Sequence, residues 1–256
     1  MTAGVALVTG GARRVGRAIV LRLAAAGYAV AIHHRHSGAE ADALAHEIAG
    51  AGGRAATFRA DLADVAAAGG LVPRAAAAFG PVTLLVNSAS IFEPDDIATL
   101  DPALWDHTFA VNLRAPMLLA RDMAAGLAAP AASGTEGSIV NIVDQRVLRP
   151  NPQFFSYTLA KSALAAATRT MAQALAPRIR VNGVAPGPTF RSARQAEADF
   201  ARQQQATPLG RGSPPADIAD AVLYLAGAGS VTGQVLAVDG GQHLLWRTAD
   251  VDGIRE

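Results

Sequence analysis

The chain has no cysteine, which excludes disulfide frameworks, thiolate metal sites and cysteine nucleophiles together. Lysine is almost missing as well: of 22 basic residues, 21 are arginine and one, Lys161, is lysine. Neither charge sign is in excess, with 22 basic against 21 acidic residues and a net charge of +1, which argues against a cationic nucleic-acid binder. No apolar run approaches the ~20 residues of a membrane span. Met1 to Thr9 has neither a basic start nor a long apolar stretch. The expectation is a soluble, cytoplasmic protein with no membrane or nucleic-acid partner. What is present is a 256-residue chain that is 51% apolar, enough for one large α/β core. Its bias toward alanine and arginine reads as mutational, and against that bias the single lysine stands out, because an ammonium and a guanidinium are not interchangeable.

Short aliphatic runs alternate with alanine-rich stretches of helical length. The runs Val5–Thr9, Ala29–His33, Ala55–Arg59, Val82–Asn87, Ser138–Val143, Arg180–Val184 and Gln234–Val238 read as strands. Between them, Arg14–Ala26, Ala39–Ala49, Asp64–Phe79, Pro102–Leu127, Phe155–Ala176 and Pro215–Ala226 read as helices. This pattern predicts a single-domain α/β fold over residues 1–256, a doubly wound parallel sheet of seven strands with helices on both faces. The segment 187–213, rich in Pro, Arg and Gln, reads as an irregular flap over a site, with Gln203–Gln205 as a solvated helix face. Residues 242–256 read as a tail, with Trp246 placed against a neighbouring subunit. His46, Trp105 and His107 sit in helical context without metal-ligand spacing, so no metal is expected.

The first strand runs into Thr9-Gly10-Gly11-Ala12-Arg13-Arg14-Val15-Gly16-Arg17, where a helix begins. Glycines at such a turn let the backbone approach a ligand, and the helix N-terminus offers free N–H groups to a phosphate. Gly10, Arg13, Arg14, Val15 and Gly16 are therefore candidate cofactor residues. About 20 residues further on, a site for NAD usually carries an acidic residue against the ribose hydroxyls. Here the second strand ends in His33-His34-Arg35-His36-Ser37, with no carboxylate. Arg35 with Ser37, helped by His34 and His36, can hold a 2′-phosphate, which predicts NADP(H) as the cofactor. Asp61 and Leu62 after the third strand read as adenine contacts, with a helix cap as the alternative for Asp61.

Tyr157 and Lys161 are four residues apart at the start of a helix, which puts them on one face, a turn apart. A neighbouring cation favours phenolate, so Lys161 is expected to lower the pKa of Tyr157 and make it an acid for protonating the atom that gains charge when hydride arrives. The pair uses the one lysine and one of three tyrosines.

The motifs Thr9–Gly16, Asn87-Ser88-Ala89, Asn112, Tyr157/Lys161, Val181-Asn182, Pro186-Gly187 and Asp239-Gly240-Gly241, in this order, resemble the short-chain dehydrogenase/reductase family over nearly the whole chain. The resemblance implies hydride transfer from a nicotinamide, usually in a homotetramer. It implies that Asn87, Ser88 and Ala89 contact the cofactor, that Pro186, Gly187 and Thr189 line the nicotinamide amide, and that Asn112 completes a water relay to Lys161. Two positions depart from the family: Arg14 replaces a glycine of the phosphate turn, and Asp144, thirteen residues before Tyr157, replaces the usual serine. With Ser90 and Phe92 after the fourth strand, this combination resembles the pteridine reductase branch. Its substrates are dihydropteridines, whose reducible bond is C=N. Ionised Asp144 fits the N–H groups of a pterin, and protonated Asp144 can pass a proton on. Phe92 can cover one pterin face, Arg14 can bridge phosphate and pterin edge, and Ser90 is a weaker contact. The alternatives are a carbonyl reductase or alcohol dehydrogenase of the same family acting on a ketone or 3-oxoacyl substrate, and a non-catalytic NADP-binding regulator.

Overall fold

The computed structural model describes residues 3–129, 132 and 134–246. Seven parallel strands form one sheet in the order β3-β2-β1-β4-β5-β6-β7: β1 Gly4–Thr9, β2 Tyr28–His34, β3 Arg54–Arg59, β4 Val82–Asn87, β5 Gly137–Ile142, β6 Ile179–Pro186 and β7 Val235–Val238. The helices are α1 Arg14–Ala25, α2 Gly38–Gly50, α3 Val65–Gly69, α4 Leu71–Phe79, α5 Pro102–Phe109, α6 Ala115–Ala128, α7 Phe155–Leu175, α8 Glu197–Gln205 and α9 Pro215–Gly227. Alternate strand residues divide the core in two. Leu7, Leu85, Ile139 and Val181 pack with Leu71, Leu119 and Met123 of α4 and α6. Ala6, Val8, Ile32 and Val140 pack on the other face with Ile19, Leu44 and Val222 of α1, α2 and α9. Both faces are covered, which is why most of the strands read as nearly continuous apolar runs. Burying each such Leu or Ile contributes about 1.5–3 kcal/mol.

Three helical expectations are corrected. Asp64–Phe79 is two helices, because Asp64 caps α3 through Ala66 N and Ala67 N and the pair Gly69-Gly70 breaks the run. Pro102–Leu127 is interrupted by a π-helical turn, Ala110–Arg114. Pro116 has no N–H to give the Asn112 carbonyl four residues back, so the regular ladder cannot pass through this point. The segment 187–213 contains α8, with Glu197 and Asp199 in its first turn and Arg202 in its last, matched to the helix dipole. No residue of α8 is buried, so it carries no apolar stripe for a sequence pattern to show. Gln203–Gln205 do lie on this solvated helix.

The strand order reverses between β1 and β4, and such switch points open a crevice at the carboxyl ends of the strands. The segments that follow β1, β2, β3, β4, β5 and β6 carry, in turn, Gly10, Arg35, Asp61, Ser88, Asp144 and Gly187.

Candidate active site

The turn after β1 is built for close approach. Gly10 has φ 63°, and a side chain there would come within 2.9 Å of the Ala89 backbone. A Cβ on Gly16 would lie 2.1 Å from the Gly10 carbonyl oxygen. Thr9 joins this turn to the segment after β4, its Oγ1 accepting from Ser88 N (3.0 Å) and Ala89 N (3.1 Å). His33 holds the turn from beneath: Nδ1 accepts from Gly10 N (3.1 Å) and Nε2 donates to the Ala60 carbonyl (3.2 Å). Burial lowers the His33 pKa to about 4, so it is the neutral imidazole that makes both bonds. The N-cap residue of α1, Arg13, makes no side-chain cap bond, and the first turn of α1 has no acidic residue, leaving its amides to an anion. Arg14 adopts the left-handed conformation (φ 51°) that a glycine would take without strain. Its guanidinium lies 5.2 Å over the Phe190 ring and donates to the Phe190 carbonyl, so in this structure Arg14 joins the turn to the flap.

At the end of β2, Arg35 is half-exposed and pairs with Asp61 at 2.9 Å, with His107 Nε2 at 3.5 Å. His36 is exposed and Ser37 half-buried. Asp61 also accepts from Ala63 N (2.9 Å), but the cap of α3 is Asp64. Leu62 packs into the core, so only its backbone can meet a ligand. His34 is 8% exposed, and its Nδ1 has no partner; Asn87, at the end of β4, is buried with an unpartnered Oδ1 while its Nδ2 donates to Asn141. Two orphaned polar atoms at the ends of β2 and β4, on either side of β1, an uncapped helix start and a half-exposed arginine fit a phosphorylated dinucleotide.

At the other end of the crevice, Tyr157 Oη donates to Asp144 Oδ2 at 2.7 Å. The second Asp144 oxygen accepts from Arg146 N at 2.9 Å and caps a 3₁₀ turn, Gln145–Val147, so the carboxylate is a strand-end cap and a partner of Tyr157 at once. Burial raises the Asp144 pKa against the lowering effect of those bonds and of Lys161. Lys161 is 2% exposed, lies 5.7 Å from the centre of the Tyr157 ring and donates to the Ile142 carbonyl at 2.7 Å. Burial lowers its pKa to about 8. The expected lowering of Tyr157 does not occur: burial, followed by the Asp144 carboxylate, raises its pKa well above 10. Burial sets the direction, and the Asp144 carboxylate at the phenol oxygen adds to it, while the ammonium is turned to a carbonyl.

Asn112 lies on the π turn, not in an α-helix, and its side chain is committed elsewhere. Oδ1 accepts from Ile91 N (2.8 Å) and Nδ2 donates to the Ile91 carbonyl (2.9 Å). What remains for a relay to Lys161 is its backbone carbonyl, for which Pro116 supplies no donor.

Phe92 does not stand alone. It stacks on Phe154 with centroids 4.0 Å apart and presents its ring edge-on to Tyr157 at 4.7 Å. The Arg146 guanidinium lies 4.9 Å from Phe154 and 5.5 Å from Phe92. Ser90 is exposed and bonds only the Ile91 carbonyl, weakly, at 3.4 Å. Pro186 ends β6, and Gly187 passes so close to Asp239 that a Cβ would lie 2.7 Å from its Cα. Thr189 donates to the Gly187 carbonyl (3.1 Å). Arg194 of the flap reaches Glu93 Oε2 and the Phe92 carbonyl, both at 2.8 Å, latching the flap to the segment after β4. Trp246 is exposed, and residues 247–256 of the tail lie outside the described residues.

Sequence reasoning missed His33, Phe154, Arg146, Phe190 and Arg194. The Phe154-Phe155 doublet just before Tyr157 was the one readable signal; the rest depend on contacts between distant segments.

The family model described as enoyl-(acyl carrier protein) reductase matches residues 10–243. A solved structure of FolM alternative dihydrofolate reductase 1 from Brucella canis, complexed with NADP, superposes with a TM-score of 0.93 at 51% identity, covering 98% of each chain. Its counterpart from Brucella suis, also with NADP, gives 0.92 at 52% identity over 97% of this chain and 98% of that one. A 3-oxoacyl-[acyl-carrier-protein] reductase of Staphylococcus aureus is 31% identical over 244 residues, 93% of this chain and 98% of the relative. With the seven-stranded sheet, the glycine turn and the Tyr157/Lys161 pair, these likenesses place the chain in the short-chain dehydrogenase/reductase family.

Proposed function

We propose that this protein is an NADPH-dependent reductase of dihydropteridines, of the dihydromonapterin, dihydrobiopterin or dihydrofolate type. The observation that carries the reading is the Asp144–Tyr157 hydrogen bond, with a carboxylate where the family places a serine. The NADP-bound Brucella relatives named as dihydrofolate reductases support it. Gly10, Arg13, Val15 and Gly16 would hold the pyrophosphate, and Arg35 with His34, His36 and Ser37 the 2′-phosphate. Asp61 and the Leu62 backbone would meet the adenine; Asn87, Ser88, Ala89, Tyr157, Lys161, Pro186, Gly187 and Thr189 would hold the nicotinamide riboside. NADPH, when bound, supplies the hydride.

The chain's own residues manage the proton. Reduction of a C=N bond adds hydride to carbon and a proton to nitrogen. Tyr157 stays a neutral phenol through the working range, and leaving it as phenolate beside Asp144 is unfavourable. Burial lets Asp144 keep its proton to higher pH than an ordinary aspartate, and in that form it passes a proton to Tyr157 as Tyr157 gives its own to the ring nitrogen. Lys161 holds the Ile142 carbonyl and stays charged below about pH 8. Phe92, stabilised by Phe154, forms a flat wall for the pterin ring, and Arg14 meets its polar edge on leaving Phe190. The seven strands drawn from the whole chain support one domain. Assembly as a homotetramer and a cytoplasmic location belong to the same proposal; the exposed Leu236 on edge strand β7 and the exposed Tyr224 support contact between copies.

Asp144→Ser tests the reading. It should lose pterin reduction and gain ketone reduction, each measured as NADPH oxidation. Pterin turnover left unchanged would remove the carboxylate from the mechanism.

A further inference from the structure

We propose that Asp95 is the positioning residue of the active-site helix, capping α7 from a loop 61 residues earlier in the sequence and thereby placing Tyr157. This rests on the reading of Tyr157 as the proton-relaying phenol.

A helix leaves its first amides without partners, and a side chain at its N-cap usually satisfies one of them. In α7 the N-cap is Phe154, which is left-handed (φ 54°) and has no acceptor to offer. Asp95 takes over the task. Its backbone carbonyl accepts from Phe155 N at 3.2 Å, and its two carboxylate oxygens each accept from Ser156 N at 3.1 Å. Ser156 Oγ also donates to Oδ2, from a side chain that is 1% exposed. A carboxylate at this end also meets the positive pole of a 21-residue helix.

The residue after Ser156 is Tyr157. Fixing the first turn of α7 therefore fixes the phenol against Asp144 and Phe154 against Phe92. Asp95 belongs to the same segment as Phe92 and Glu93, and Arg194 of the flap grips that segment from the other side. One carboxylate thus ties the wall of the substrate crevice to the helix that carries its acid. A misplacement of about 1 Å at a reacting group can cost on the order of a hundredfold in rate, so a lost cap would be read in kcat.

The test uses full-length Asp95→Ala and Asp95→Asn, with NADPH Kd by fluorescence, kcat and KM on 7,8-dihydrobiopterin, and hydrogen exchange of the peptide spanning residues 155–161. Asp95→Ala should lower kcat about tenfold or more, leave NADPH Kd within about twofold, and speed exchange in that peptide. Asp95→Asn keeps one acceptor for Ser156 N and should recover a substantial part of kcat. Wild-type kcat in Asp95→Ala, or a loss of NADPH affinity as large as the loss of kcat, would overturn the proposal. If Asp95→Ala does not fold, Asp95→Asn and Ser156→Ala decide: each must lower kcat and speed exchange, and wild-type values in both would overturn it. Should the wild type reduce carbonyls but no pterin, the pterin reading fails separately, and the same comparison of kcat is made on the carbonyl.

Discussion

Lowering the pH from about 7 to about 4 should cost this protein roughly 3 kcal/mol of stability through His33 alone. The ordinary imidazole of the unfolded chain titrates at 6.5, whereas burial lowers the folded value to about 4, despite the opposing bond to Ala60. Between those values the unfolded state binds a proton that the folded state refuses. The contribution is therefore fully present above 6.5 and declines as the pH falls through the window to about 4. A pKa unit is worth about 1.4 kcal/mol, which sets both the total and the maximum slope. The local reason is geometric: Nδ1 accepts from Gly10 N, so a proton there would turn an acceptor into a second donor facing an N–H. The assay is urea unfolding of wild type and His33→Gln at several pH values across the window. Glutamine can accept and donate but does not titrate, and the slopes from other groups cancel in the difference between the two proteins. The wild type should lose stability relative to the variant by roughly 1 kcal/mol or more per pH unit below about 6. Parallel pH dependences would refute the role given to His33.

Other outcomes follow from the same geometry. Tyr157→Phe should lower turnover by about a hundredfold or more with NADPH binding nearly unchanged; a rate within a few-fold of wild type would remove Tyr157 from the proton path. Lys161→Arg should be severely impaired, because a guanidinium cannot occupy the compact buried site that donates to Ile142. Wild-type kcat should fall as the pH rises through about 8 and the ammonium is lost, while Lys161 stabilises the fold more over that rise, since the unfolded chain keeps its proton to 10.5; a kcat flat to about pH 9.5 would count against the charge. Arg35→Asp should weaken NADPH about ten- to a hundredfold and NADH much less, measured by fluorescence titration, because one charge-assisted contact is worth about 1.5–3 kcal/mol; equal losses would refute the 2′-phosphate contact.

The alternation of aliphatic runs with alanine-rich stretches made the sheet and its helices legible, because burial on both faces leaves few polar residues to blur the pattern. Gly10, Gly16, Tyr157 and Lys161 could be read in order, since each is tied to a local backbone demand or a fixed helical spacing. What stayed hidden depends on side chains meeting from distant segments. Asp95 and Ser156, His33 and Gly10, and Arg194 and Phe92 have no local signature. The direction of the Tyr157 shift was misjudged because spacing placed Lys161 on its face but showed neither how deeply the phenol is buried nor that Asp144 is the group its oxygen touches. Helix α8 was legible only at Gln203–Gln205, because it buries nothing.

The most direct measurement is the initial rate of NADPH oxidation by purified protein with dihydromonapterin, 7,8-dihydrobiopterin and dihydrofolate, beside a panel of ketones, aldehydes and a 3-oxoacyl thioester. Turnover confined to the dihydropterins is the expected result. Turnover of the carbonyl compounds alone would contradict the assignment of Asp144, Phe92 and Arg14 to a pterin, while leaving the fold and the Tyr157/Lys161 pair in place.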